Sequence, residues 1–101
     1  MEQLQTNKKT KQRIITDEPE RYNVIMHNDD FTTMDFVVMV LMSVFHKEKN
    51  EAERLMMQIH TQGRCIVGVY TYDIASTKVM CVNKLAREAN YPLLTTIEPQ
   101  R

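Results

Sequence analysis

Asn50-Glu-Ala-Glu-Arg-Leu55-Met-Met-Gln-Ile59-His60-Thr-Gln-Gly63-Arg-Cys65-Ile-Val-Gly-Val-Tyr-Thr71-Tyr-Asp73 changes its hydrophobic period twice within one short stretch. Ala52, Leu55, Met56 and Ile59 recur at i, i+3, i+4 and i+7, the stripe of an amphipathic helix. Asn50 and the acids beside it read as the helix start, and Gly63 is placed to end it, since glycine enters the left-handed region without penalty. Arg64 to Thr71 follows at once, β-branched and aromatic, and reads as a strand. Asp73 then opens a further helix, with Ala75, Val79, Val82, Ala86 and Ala89 as its apolar stripe and Asn90 and Pro92 as its stop. A helix, a strand and a helix joined by almost no loop call for a layered α+β fold.

Towards the N-terminus, Tyr22 to His27 alternates, with Tyr22, Val24 and Met26 on one side, and reads as a strand broken by Asn28-Asp29-Asp30. Thr32 followed by Asp35 fits a capping box, so the apolar run behind it predicts a helix over 33–45. Leu94 to Glu98 is short enough for an edge strand. The resulting order, β-α-α-β-α-β, predicts a small single-domain α+β sandwich, a three-stranded antiparallel sheet with three helices on one face. Residues 1–20 are polar and end in Asp17-Glu18-Pro19-Glu20, which predicts a flexible arm ahead of a core domain over 21–101.

Bulk properties narrow the function. Hydrophobic residues at 43% of 101 suffice for one core and no second domain. Thirteen basic and thirteen acidic residues cancel, so global charge points neither to nucleic acid nor to an anionic membrane. The longest apolar stretch is far short of a spanning helix and no signal peptide is visible, which predicts a soluble cytoplasmic protein. Cys65 and Cys81 are too far apart for a Cys-x-x-Cys pair and, among valines and isoleucines, are expected as small buried hydrophobes.

Chemistry-bearing residues are few. Asn28-Asp29-Asp30 is ordinary turn composition, and a histidine such as His60 near a helix C-terminus is favourable with the helix dipole. A metal site could be assembled from His27, Asp29, Asp30 and His60, yet no His-x-x-x-His or His-Glu motif supports it. Neither cysteine has the polar setting of a nucleophile, and with only Gly63 and Gly68 there is no phosphate-binding loop. Eight methionines are many for this length, and five fall in the two middle helices, as packing or as an adaptable apolar pocket. The residues alone predict a small binding domain: no enzyme, no cofactor and no metal.

Tyr22-Asn-Val-Ile-Met-His-Asn-Asp-Asp-Phe-Thr-Thr-Met-Asp-Phe-Val-Val38 resembles the Clp protease adaptor ClpS family. The likeness continues through Met56 to Gly63, Cys65 to Thr71, Ala75 to Val79, Leu85 to Glu88 and Pro92 to Leu94. The resemblance implies an adaptor, monomeric on its own, that binds substrates by a bulky first residue (Leu, Phe, Tyr or Trp) and delivers them to the N-domain of a Clp AAA+ unfoldase, usually ClpA. It implies that Asn28 and His60 hold the substrate's α-amino group, that Asp29 adds acceptor capacity, and that Asp30 shapes the loop. It implies a pocket lined by Thr32, Met34, Val37, Met56, Ile59 and Leu93, and an unfoldase surface at Asp73, Thr77 and Lys78. A ribosomal-stalk-like interaction domain shares the expected fold but has no use for the Asn-Asp-Asp/His60 pair.

Overall fold

The computed structural model describes residues 18–101. Elements follow in the order β1 (Arg21–His27), α1 (Met34–Ser43), α2 (Lys49–Gln62), β2 (Arg64–Thr71), α3 (Tyr72–Glu88) and β3 (Leu94–Pro99). Apart from residues 18–20, the arm expected over 1–20 lies outside the described residues.

The two outer strands both pair antiparallel with β1, giving the sheet order β2-β1-β3. Tyr22, Val24 and Met26 share one face, as alternation requires. On that face Val24 and Met26 are fully buried, in one cluster with Val37, Val40 and Leu41 of α1, Ala52, Leu55 and Ile59 of α2, and Ala75, Val82 and Ala86 of α3. All three helices therefore contribute to a core on a single face of the sheet. β1 and β2 slip by one residue between Val24 and Ile25, leaving Val67 as the extra residue of a bulge.

The opposite face is thinly covered. Arg64 reaches Glu98 at 3.6 Å, and because Arg64 pairs with His27 while Glu98 pairs with Asn23, the ion pair runs diagonally over Ile25. Ile25 is accordingly 1% exposed although it stands outside the main cluster.

Local chemistry accounts for the helix ends, which depart from the sequence reading by a residue or two: α1 stops at Ser43, short of residue 45, and α3 starts at Tyr72, one residue before Asp73. The N-cap of α1 is Thr33, whose hydroxyl accepts from the Phe36 amide at 3.2 Å, and not Thr32. Thr32 is turned to the loop instead, its amide and its hydroxyl both donating to Asp29. α2 starts before Asn50, with Glu48 as an N-cap that makes no side-chain bond. Gly63 closes α2 as expected, at φ 91° with its amide on the Ile59 carbonyl. Cys65 is buried, but Cys81 is exposed: it stands one residue before buried Val82 and is turned about 100° off the core stripe.

Candidate functional site

At one end of the domain the turn after β1 meets the end of α2. The Asn28 amide donates to the Gly63 carbonyl at 2.9 Å, which ties the start of the Asn-Asp-Asp loop to the residue that ends the helix bearing His60. Two segments more than thirty residues apart are thus held side by side by the C-cap glycine of α2.

Asp29 organises the loop. Its Oδ1 accepts the amides of Phe31 (2.8 Å) and Thr32 (2.7 Å), and its Oδ2 accepts the Thr32 hydroxyl (2.7 Å). Partial burial pushes the Asp29 carboxyl up, but the bonds from Thr32 and Phe31 outweigh it and hold the group below its ordinary value. Asp29 stays an anion with one acceptor direction left, as three of roughly four lone-pair sites are in use. Asp30, in contrast, is exposed and makes no hydrogen bond or ion pair among the described residues. The loop-shaping part expected of Asp30 is played by Asp29, because a side chain at the first turn position can bond amides two and three residues on.

Beside this loop opens a pocket of about 250 Å³ lined by Asn28, Asp29, Asp30, Thr32, Met34, Val37, Met56, Ile59 and His60. It is smaller than the roughly 300–1,000 Å³ of sites that enclose a drug-sized ligand, and suits a single side chain. Its polar groups come from the β1–α1 loop and the last turn of α2. Its apolar wall comes from the first turns of α1, with Met34 at the rim (43% exposed) and Val37 at 7%, and from Met56 and Ile59. Leu93 is not among these lining residues; it is 6% exposed within the main core cluster. His27, adjacent in sequence, points elsewhere: its Nε2 meets Thr96 Oγ1 at 2.8 Å, so it does not join Asp29, Asp30 and His60. Among the described residues no three His, Cys, Asp or Glu side chains gather as a metal-binding set.

The second expected surface lies on α3. Asp73 and Thr77 are exposed, the Thr77 hydroxyl bonding back to the Asp73 carbonyl at 3.0 Å. Lys78 is turned inward. Its Nζ donates to the Val44 carbonyl at 2.8 Å and lies 5.4 Å from the Tyr70 ring centre and 6.0 Å from that of Phe45. α1 has no basic residue in its own last turn, so a lysine from α3 satisfies its terminal carbonyl. A Cβ at Gly68 would collide with the Tyr70 ring, so the glycine is what lets Tyr70 lie along β2 beneath Lys78. No residue spacing signals this arrangement; the one available hint was a helix end lacking a cation of its own.

Residues 17–96 match the family model of the ATP-dependent Clp protease adaptor protein ClpS. A relative from Acetivibrio thermocellus, named an ATP-dependent Clp protease adapter protein ClpS, is 51% identical over 82 residues, covering 81% of this chain and 83% of its own length. One of the same name from Syntrophus aciditrophicus is 52% identical over 81 residues, covering 80% and 76%. Agrobacterium tumefaciens ClpS2 bound to L-phenylalaninamide superposes with a TM-score of 0.79 at 40% identity, over 82% of this chain and 100% of that one.

Proposed function

The chain belongs to the ClpS family of ATP-dependent Clp protease adaptors, and on that premise we propose that its pocket receives the first residue of a substrate protein, Leu, Phe, Tyr or Trp, for delivery to a ClpA-type AAA+ unfoldase. The carrying observation is the pocket's division into an apolar wall and a polar rim of Asn28, Asp29 and His60. An α-ammonium brings a positive charge and three donors. The Asn28 carbonyl, a ring nitrogen of His60 and the anionic Asp29 offer acceptors for it, and charge-assisted bonds are stronger than neutral ones. Burying the first side chain against Val37, Met56 and Ile59 adds roughly 1.5–3 kcal/mol. An internal leucine lacks the ammonium and would leave the acceptors unpaired. L-phenylalaninamide, held by the Agrobacterium ClpS2, carries both features, a free amine and a bulky apolar side chain.

Nothing in this task is covalent: the adaptor binds and hands on. Asp73, Thr77 and Lys78 on α3 form the proposed docking side for the unfoldase, with the adaptor acting as a cytoplasmic monomer. The test is fluorescence anisotropy with a Phe-initiated peptide and its N-acetylated twin. Binding of the free-amine peptide alone is expected, and equal affinity for both would defeat the reading.

A further inference from the structure

Phe31 is 74% exposed, yet its backbone is fixed. Its amide is held by Asp29 Oδ1 at 2.8 Å, and the next residue is held through two further bonds to the same carboxylate. The backbone on both sides of the ring is thus tied down by one anion. The ring takes no part in the aromatic pairs, which join Tyr22 to Tyr72, Phe36 to Tyr91 and Phe45 to Tyr70, and it stands outside the core cluster. A single exposed aromatic means little by itself. This one stands between Asp30 and Thr32, both of which line the pocket, and three residues before half-exposed Met34, which lines it too.

We propose that Phe31 reads the second residue of the bound substrate and favours an aromatic side chain there. The inference rests on the terminal-residue reading of the pocket. Successive side chains of an extended peptide point to opposite sides. With the first side chain in the pocket, the second is turned outwards and meets the rim in place of the cavity. There a ring on a fixed stretch of backbone supplies a large contact and has only two side-chain torsions to order, as aromatics do in binding surfaces generally. An aromatic pair of this kind is worth roughly two- to tenfold in affinity.

The experiment is anisotropy titration of two peptides that differ only at the second position, Phe-Tyr and Phe-Ala, against the unaltered protein, Phe31→Ala and Phe31→Tyr. The unaltered protein and Phe31→Tyr are expected to favour Phe-Tyr by roughly two- to tenfold, and Phe31→Ala to bring the ratio close to one. A structural fault would weaken both peptides together and leave the ratio in place, so the ratio isolates the contact. Equal affinity of the unaltered protein for the two peptides, or an unchanged ratio in Phe31→Ala, overturns the inference. Failure to bind either peptide instead rejects the terminal-residue reading beneath it.

Discussion

Replacing Lys78 with Met keeps an unbranched apolar stem and removes the charged donor at its end. The Val44 carbonyl then loses its donor in a residue that is 9% exposed, where water replaces it poorly. A hydrogen bond from a charged donor contributes about 1.5–3 kcal/mol. The contacts with Tyr70 and Phe45, at 5.4 and 6.0 Å, sit at the outer range of cation–π attraction and add about 0.5–1 kcal/mol. Lys78 is partly exposed, which reduces both terms, so the expected loss is about 2 kcal/mol. In a domain of this size that lowers Tm by roughly 8–16 °C. Urea unfolding should show the midpoint moving with little change in slope. Lys78→Arg should recover part of the loss. Peptide affinity should fall modestly as well, because the loosened helix α1 carries Met34 and Val37. A loss below about 0.5 kcal/mol with full peptide affinity would show that the inward bond does not persist in solution. The result also governs how docking experiments are read. Lost unfoldase binding in a Lys78 variant does not by itself mark a contact, whereas exposed Asp73 gives a cleaner test: Asp73→Ala should weaken unfoldase binding and spare both stability and peptide affinity.

Other substitutions probe the pocket. Met34→Ala should admit peptides beginning with Ile or Val, whose β-branch meets the rim thioether, at a modest loss for Phe and Leu; continued refusal of Ile and Val in titrations would move the discrimination deeper, to Val37 or Ile59. Asp29→Ala should reduce peptide affinity more than Asp30→Ala, because it releases three bonds of the loop; equal effects in calorimetry would argue for charge alone. The Asp29 carboxyl is held below its ordinary value, so its contribution to loop stability is complete above the unfolded-state value and is lost as pH falls through the lower folded-state value. Amide exchange at Thr32 should therefore stay slow well into acid, and loosening already at about pH 6 would contradict this. Gly63→Ala meets no steric obstacle from neighbours but must adopt φ 91°, which costs about 1 kcal/mol and should displace the Asn28 loop bonded to its carbonyl. An unchanged Tm with unchanged peptide affinity would refute that coupling.

Amino-acid order alone determined whatever depends on neighbours a few residues apart. The stripe from Ala52 to Ile59, the stop at Gly63, the β-branched run to Thr71 and the alternation of Tyr22, Val24 and Met26 fix the types and order of the elements. Each is a period or a breaker, readable along one dimension. Tertiary structure decided what depends on partners far along the chain. Central placement of β1 follows from pairing with strands on either side, and the diagonal Arg64–Glu98 pair exists only in that register. Periodicity could not place Leu93, which the fold buries in the same core cluster as Val37 and Ile59. It could not tell Asp29 from Asp30 either, since turn composition is the same for both and only the loop's path directs the Phe31 and Thr32 amides to one of them. Lys78 shows the difference most plainly. Its place on α3 marks it as a surface cation, but the end of α1, thirty-four residues earlier, leaves a carbonyl beside it without a donor. A buried polar group must find a partner, and that requirement acts through space, where sequence separation has no bearing.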